Sequence, residues 1–357
     1  MSNRLVTVLV GVLLVSVFGS GVTYASDEYI EGKIVEIIEE KNVEVGGIQQ
    51  VFQKVRVRLN CADNTKKIIE TDNNAMQSPK PKSFNVNDKV VLLKTNIAGE
   101  EYYIITDFVR RGALVWLFLL FIFLTVLVGK KQGLYSILGT GFSFLLIFKI
   151  VLPNISNGAN PVLIILLSSI LIIPVTFYLS HGISKKTHVA IAGTFLSLVI
   201  TSILALIFVK LSKLSGFSSD EAMFLQLGGE NIVNIRNLLL SGIIIGTLGI
   251  LDDVTISQAA IVYQLKKINS QLSPWEIFEK SMSIGKDHIS SMINTLILVY
   301  AGASFPLLLM FTNSTYTFPQ VINYEIIAEE IVRTLVGSIG LVLAVPITTL
   351  LATRYID

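Results

Sequence analysis

Long apolar stretches alternate with short polar connections over the C-terminal two thirds of this 357-residue chain. Most stretches reach or approach the roughly 20 residues that an α-helix needs to cross the hydrocarbon core of a bilayer. Backbone groups in lipid must be hydrogen-bonded within the segment, so the stretches are predicted to be helices. The seven predicted spans are residues 113–129, 133–152, 161–180, 189–211, 237–263, 289–311 and 333–353. This pattern predicts a polytopic α-helical membrane protein whose transmembrane domain is residues 111–357.

A separate apolar stretch at the N-terminus has the features of an export signal. Met-Ser-Asn-Arg precedes an apolar run from Leu5 to Val22, and the run ends in small residues before Ser26. This order is typical of a secretory signal peptide. The run is also about long enough to stay as an anchor helix, so residues 1–26 have two alternatives, with cleavage slightly favoured. In both cases the positive end stays inside and the following residues are exported.

Residues 27–110 have the pattern of a small β domain. Basic and apolar residues alternate in the second half of Val51–Leu59, which indicates a half-buried strand. Turn-forming residues separate this strand from four further predicted strands at 34–38, 67–70, 89–94 and 102–106. Five short strands predict a small β-barrel of the OB-like type. It shows no aromatic stacking platform, so a structural or partner-binding role is favoured over oligonucleotide binding.

The charges of the connections predict the orientation of the spans. Lysine pairs follow the first span, at Lys130–Lys131, and the third, at Lys185–Lys186, and four lysines follow the fifth. The alternate connections are uncharged, as at 153–160, or of mixed or acidic charge. Because basic residues stay in the cytoplasm, the C-terminus is predicted to be cytoplasmic and the β domain extracytoplasmic. The lipid bilayer is then the immediate partner of the chain.

Composition excludes several other classes of function. Only 15% of the residues are charged, against roughly a quarter in a soluble globular chain. The net charge of +2 gives no basic surface for nucleic acid. The single Cys61 excludes an intrachain disulfide and a multi-cysteine metal site, and a total of three histidines argues against a His-rich metal site. No cofactor and no metal are therefore predicted.

Two adjacent acids, Asp252 and Asp253, lie midway between the charged flanks Arg236 and Lys266 of span 237–263. A carboxylate at the bilayer centre costs about 2.5–3.5 kcal/mol on insertion scales, so intramembrane acids are functional by default. Two neighbouring carboxylates do not both ionise there without a partner. We therefore favour a proton or ion relay at mid-membrane. Two alternatives stay open, namely a pair that only hydrogen-bonds neighbouring helices and a re-entrant segment permitted by nearby glycines.

The glycines of this span lie on one helical face with one of the two acids. Steps of three and four residues define the face. Its members include Gly242, Gly246, Gly249, Asp253 and Ser257. Small residues let another helix approach closely, so Asp253 is predicted to point into a tight helix contact. Asp252 is rotated by about 100° from it around the helix.

Polar residues of other spans are candidates for supporting the acid pair. In span 289–311, Ser291, Asn294 and Thr295 form a polar stripe, and Pro306 predicts a kink. The chain contains no phosphate-binding loop, no His-Glu-x-x-His motif and no Gly-x-Ser-x-Gly motif. We therefore predict that the protein is not an enzyme.

The motif around the acid pair resembles that of the YibE/F family of bacterial membrane proteins. Its specific part is Gly-Thr-Leu-Gly-Ile-Leu-Asp-Asp-Val-Thr-Ile-Ser-Gln at 246–258. Gly-Lys-Asp-His-Ile at 285–289, Asn-Thr-Leu at 294–296 and Tyr-Ala-Gly at 300–302 support the resemblance, which covers about 110–353. It implies a multi-pass protein of the bacterial cytoplasmic membrane and adds little about mechanism.

A more distant resemblance links the later spans to one transmembrane repeat of the SecD/SecF and RND transporter superfamily. In that superfamily a membrane-embedded Asp takes part in proton coupling, which the resemblance would assign here to Asp252 and Asp253. Two features depart from the pattern. The eight-residue connection 153–160 replaces a large extracytoplasmic domain. Only one repeat is present, so a transporter would need a homodimer or a second membrane subunit.

Two hypotheses for function follow from the sequence. The favoured one is a membrane transporter or export-assisting component in which the Asp252–Asp253 pair relays a proton or ion. The alternative is a non-transporting scaffold or receptor subunit whose exported β domain binds a partner. Substitution of the acids distinguishes the two, because only the first hypothesis requires them.

Overall fold

The computed structural model describes residues 28–45, 48–59, 67–73, 82–97, 100–228, 234–312 and 315–355. The predicted signal or anchor segment and Cys61 lie outside these residues. The chain forms two compact units, with a boundary between Leu124 and Thr125. Each unit has its own hydrophobic core.

The first unit is built on five antiparallel strands, one at each predicted position. They are β1 (Glu28–Val45), β2 (Ile48–Leu59), β3 (Ile68–Asp72), β4 (Lys89–Ile97) and β5 (Glu100–Phe108), in the sheet order β3-β2-β1-β4-β5. β1 is much longer than predicted because it pairs with β2 from Gly32 opposite Leu59 to Val45 opposite Ile48. Its first residues also pair with β4, so β1 is the central strand of the sheet.

The alternation predicted for the second strand is confirmed by its burial. Val55, Val57 and Leu59 are buried, while the basic residues between them lie on the other face. A β-carbon at Gly32 would lie 2.5 Å from Cγ1 of Val57, so only glycine fits where β1 crosses this core. The apolar face of the sheet therefore specifies the register of its strands.

Side chains link the two edge strands and give the sheet the curvature of a half-barrel. Thr71 Oγ1 on β3 donates a hydrogen bond to the carbonyl oxygen of Tyr103 on β5, over 2.7 Å. Lys67 and Glu101 form an ion pair between the same two edges, at 2.9 Å. The strand order and this edge contact are compatible with the OB-like type, which stays a prediction.

The second unit is helical. In the described part of the chain, the helices are α1 (Arg111–Leu146), α2 (Leu152–Ser156), α3 (Pro161–His181), α4 (Lys185–Leu211), α5 (Asp220–Gly228), α6 (Ile235–Ile268), α7 (Pro274–Ala303), α8 (Phe305–Thr312), α9 (Phe318–Asn323) and α10 (Glu325–Tyr355). A π-helical turn at Ile147–Val151 lies between α1 and α2. Among the described residues, five helical segments are long and apolar enough to cross a membrane, or six if α7 and α8 form one broken span.

The first two predicted spans form one continuous helical run, Arg111–Ser156, so the structure has fewer separate candidate spans than the seven predicted. The run is interrupted at Lys130, whose φ of 50° and ψ of −131° are not helical. A β-carbon at Gly133 would lie 2.2 Å from the carbonyl oxygen of Thr125, so the chain turns sharply at this point. The break falls between predicted spans 113–129 and 133–152, where the basic connection was expected.

The predicted kink near Pro306 is confirmed. α7 and α8 are bent by 69° across the single residue Ser304. Pro306 is the second residue of α8, and its ring cannot continue the hydrogen-bond pattern of the preceding helix.

Polar caps determine where several helices begin. The Asn160 side chain accepts a hydrogen bond from the backbone N–H of Val162 at the start of α3. Ser184 caps α4 in the same way, and Ser273 forms a capping box with Glu276 at the start of α7. Each cap satisfies backbone donors that have no partner inside the helix.

Helices α4, α6 and α10 pack together as the core of the helical unit. α4 and α10 approach closely at two glycines: a β-carbon at Gly193 would lie 2.4 Å from Thr348 Oγ1, and one at Gly340 would lie 2.3 Å from Thr201 Oγ1. Thr255 on α6 and Thr194 on α4 share a hydrogen bond of 2.6 Å. Tight small-residue packing therefore joins α4 and α10.

Candidate functional site

The acid pair lies at the centre of α6. Asn234 caps this helix by accepting a hydrogen bond from the backbone N–H of Asn237. The helix continues to Ile268, so its midpoint falls between Leu251 and Asp252. The central position predicted from the charged flanks is therefore also the centre of the helix itself.

A cavity of about 480 Å³ lies in front of the acid pair. It is bounded by α6, α3, and the segment from α1 to the π-helical turn. Its polar lining consists of Ser136, Thr140, Ser143, Ser168, Thr176, Ser180, His181, Asp252 and Asp253. Apolar residues, among them Phe144 and Phe177, line the remainder.

Hydroxyl groups of α1 and α3 meet across the cavity. Ser136 Oγ donates a hydrogen bond to Ser180 Oγ over 3.2 Å, and Gln132 Nε2 lies 3.5 Å from His181 Nδ1. The two helices come together at Gly139, where a β-carbon would lie 3.5 Å from the Cα of Thr176. This close approach places both hydroxyl rows at one cavity.

The two acids have different surroundings. Asp253 is exposed, whereas Asp252 is partly buried and its Oδ1 has no hydrogen-bond partner among the described residues. The backbone carbonyl of Asp252 accepts a hydrogen bond from Thr255 Oγ1 at 3.3 Å, and Thr255 is in turn bonded to Thr194. The helix is thus fixed against α4 at this level while both carboxylates line the cavity.

The charge balance of the cavity favours a cation. None of its described lining residues is Lys or Arg, and His181 is the one basic side chain among them. Adjacent carboxylates repel each other when both are ionised, and a proton or a bound cation relieves that repulsion. Within the described ranges, no three His, Cys, Asp or Glu side chains come close enough together to hold a metal ion.

Comparison with known proteins gives one result. The family model described as "YibE/F-like protein" matches residues 117–357, which is more than half of the chain. The chain belongs to the YibE/F family. No curated protein and no solved structure matches it significantly. The match contains all of α3, α4, α6 and α10, and the resemblance inferred from the motif at 246–258 is confirmed.

The glycine face of α6 is not packed in the way the sequence predicted. In this YibE/F protein, no described atom lies within 4 Å of a β-carbon built at Gly242 or Gly249, and at Gly246 the nearest is Tyr300 Oη at 3.7 Å. α6 instead buries the opposite face against α4 and α10, including Thr247 and Leu251. The prediction that Asp253 points into a tight helix contact is therefore wrong for the described chain, and Ser257 on the same side is only partly buried.

The predicted supporting residues of α7 lie elsewhere. Ser291, Asn294 and Thr295 are exposed and do not line the cavity. Thr295 Oγ1 donates to the backbone carbonyl of Ser291 in its own helix, at 3.0 Å. α7 turns a different face inward, which includes Ser281, so the YibE/F bundle does not bring this polar stripe to the acid pair.

The hydroxyl rows of α1 and α3 were not among the residues predicted from the sequence. The signal was present as spacing, since Ser136, Thr140 and Ser143 recur at steps of four and three on one helical face. Thr176 and Ser180 are likewise one turn apart on α3. Serine and threonine at such spacing often serve only as interhelical contacts. The rows become candidate functional residues because the fold places them opposite two acids.

Proposed function

We propose that this YibE/F protein is a membrane transporter or export-assisting component in which Asp252 and Asp253 relay a proton or ion. The observation that carries the proposal is the position of both carboxylates in a hydroxyl-lined cavity at the centre of α6. An ionisable group within a membrane helix is typical of ion pathways and proton relays. A dry contact with serines and backbone carbonyls would have favoured a structural pair instead.

The polar lining suggests a route from one side of the membrane to the acids. His181 is the last residue of α3 and precedes the predicted cytoplasmic pair Lys185–Lys186. The hydroxyls of Ser180 and Thr176 line the same cavity as His181 and Asp253. Water held by these hydroxyls would connect the cytoplasm with the acid pair, because hydroxyl groups both donate and accept hydrogen bonds.

The proposal includes the topology predicted from the sequence. The chain would cross the bacterial cytoplasmic membrane seven times, with the break at Lys130 on the cytoplasmic side, the β domain exported and the C-terminus inside. The likeness of the later spans to one SecD/SecF repeat supports proton coupling. One repeat is half of a typical two-repeat transporter, so we propose a homodimer or a second membrane subunit.

Proton flux into proteoliposomes tests the proposal. The purified protein is reconstituted with a pH-sensitive dye inside, and a potassium gradient with valinomycin imposes a membrane potential. Asp252→Asn and Asp253→Asn are each expected to reduce protein-dependent flux at least tenfold. Asp287→Asn, an exposed acid on α7 outside the cavity, is the matched control and should keep wild-type flux. Wild-type flux in both cavity variants, with normal insertion, would refute the relay.

The alternative function is a scaffold or receptor subunit. It is favoured by the separate hydrophobic core of the β domain, formed around Ile34, Val57 and Leu92. Under this hypothesis, deletion of residues 27–110 abolishes function in cells while Asn at both acids has no effect. The relay predicts loss of function in the Asn variants, so one complementation experiment separates the two.

A further inference from the structure

A second buried acid lies at the N-terminal end of α10, apart from the Asp252–Asp253 cavity. Glu329 is only 6% exposed. Ser218 Oγ donates a hydrogen bond to its Oε2 over 2.5 Å, while its Oε1 is buried and has no hydrogen-bond partner among the described residues. An unpartnered buried oxygen on an acid needs a physical explanation.

Glu325, one helical turn earlier, provides an internal comparison. Its Oε1 accepts hydrogen bonds from Ser215 Oγ at 2.7 Å, from the backbone N–H of Gly216 at 3.0 Å, and from the backbone N–H of Ser215. Gly216 has a φ of +86°, which turns the connection so that its N–H groups face the acid. Three donors stabilise an ionised carboxylate, so Glu325 is suited to a permanent negative charge.

Nearby charges compensate Glu329 only in part. On its own helix, Glu325 and Glu330 are negative. Arg333, one turn after Glu329, is positive, but its ion pair is with Glu330 at 3.4 Å, and its buried Nε has no hydrogen-bond partner among the described residues. On α6, Arg236 donates from Nε to the carbonyl of Leu214. None of the basic side chains in the described ranges forms an ion pair with Glu329.

Apolar packing closes the inner side of this site. Leu214 of the connection between α4 and α5 packs with Val332 and Val336 of α10 in one buried cluster. A charge beside such a cluster loses hydration that one hydroxyl cannot replace. Burial of an uncharged carboxylic acid that lacks one hydrogen bond costs much less free energy than burial of an unpaired charge.

We propose that Glu329 is a proton-binding residue of this protein, distinct from the central acid pair. It takes its proton from the aqueous phase at the end of the bundle where α10 begins. Ser218 lies on the connection 212–219, which covers the carboxyl group, so ionisation of Glu329 draws water to the site and loosens this connection. The site does not depend on whether the central pair relays protons.

Infrared spectroscopy of the full-length protein in lipid bilayers tests the proposal. Asp252→Asn/Asp253→Asn serves as the background, so that the central pair does not contribute to the carbonyl band of protonated carboxyl groups. The band is expected to be present at neutral pH and to lose intensity in Glu329→Gln. Glu325→Gln, with the acid one turn away, is the matched control and should leave the band unchanged. An unchanged band in folded Glu329→Gln overturns the proposal.

Two further measurements keep the test decisive if Glu329→Gln does not fold. Ser218→Ala removes the hydrogen bond that stabilises the ionised form of Glu329. The carbonyl band of the protonated acid should therefore persist to higher pH than in the Asp252→Asn/Asp253→Asn background. In the wild-type chain, amide exchange of residues 212–219, corrected for the intrinsic rate, should rise as the band disappears. The proposal would equally be overturned if the carbonyl band did not change with pH or with Ser218→Ala and the exchange rate of residues 212–219 did not change with pH. Because the readout is protonation, loss of proton flux in the Asp252 or Asp253 variants does not affect the outcome.

Discussion

Gln258 Nε2 donates a hydrogen bond to Thr349 Oγ1 over 2.7 Å, across the contact between α6 and α10. The same amide nitrogen donates to the backbone carbonyl of Ser281 on α7, at 3.0 Å. Gly285 gives these helices room to pack closely, since a β-carbon there would lie 2.6 Å from Val345 Cγ1 and 3.1 Å from both amide heteroatoms of Gln258. One buried amide therefore joins three helices one to two turns from the acid pair.

Replacement of Gln258 should destabilise the helical unit. Gln258→Ala removes two hydrogen bonds and leaves the Ser281 carbonyl without its donor, which we expect to cost about 1–3 kcal/mol of unfolding free energy. Thermal unfolding in detergent micelles measures the loss. Gln271→Ala, at an exposed position before α7, is the control with the same side chain removed. Equal stability of the two variants would show that the buried amide contributes nothing.

Two glycines should respond to alanine with opposite signs. Gly193→Ala places a β-carbon 2.4 Å from Thr348 Oγ1, and overpacking of this kind costs about 1–3 kcal/mol. Gly242→Ala meets no described atom within 4 Å and should gain about 0.5–1 kcal/mol from lower backbone entropy in the unfolded chain. Unfolding midpoints of both variants check the signs. Destabilisation by Gly242→Ala would indicate that another helix covers this face.

The cavity in front of the acid pair should contain water. In a Cys61→Ser background, Ser143→Cys is expected to react with a charged, membrane-impermeant thiol reagent in inside-out vesicles. Leu196→Cys on α4, an exposed apolar position 46% accessible in the isolated chain, should face lipid and stay unreactive. The reagent needs a hydrated thiolate, so equal rates at the two positions would contradict a polar cavity.

The edge of the β domain should weaken in acid. Hydrogen bonds from Lys94, then Lys67 and Tyr103, lower the pKa of Glu101 from 4.5 to about 2. A lowered pKa means that this contribution to stability is present above pH 4.5 and disappears as the pH falls towards 2. Amide exchange of β5 in the full chain, corrected for the intrinsic rate, should therefore accelerate over that range.

Glu101→Gln should flatten this acid dependence, because the amide does not titrate. Glu44→Gln, an exposed residue near the end of β1, is the control and should keep the wild-type profile. A wild-type profile in Glu101→Gln would assign the acid sensitivity to other groups. Asp107 is one such group, since hydrogen bonds from Arg110 and Lys82 also lower its pKa.

The sequence by itself determined the local features of this protein. Alternation in Val51–Leu59 predicted a strand and its buried face, and Pro306 predicted the bend between α7 and α8. The charged flanks of span 237–263 placed Asp252 at the centre of its helix. These features depend on the periodicity of one segment or on the geometry of one residue, which neighbouring residues along the chain suffice to specify.

Only the tertiary structure decided which face of α6 is covered and which helices meet the acids. The glycine face has small side chains and the face of Thr247 and Leu251 is mainly apolar, so each is suited to packing, and helical spacing alone does not choose between them. The close fit of Gly193 to Thr348 unites α4 with α10, and this pair covers the Thr247 face. Gly242 and Gly249 then have no described atom within 4 Å of an added β-carbon, and Asp253 stays exposed. Ser136 of α1 and Ser180 of α3 meet beside the acids. Contacts between segments distant in sequence depend on the shapes of both partners, which no single segment encodes.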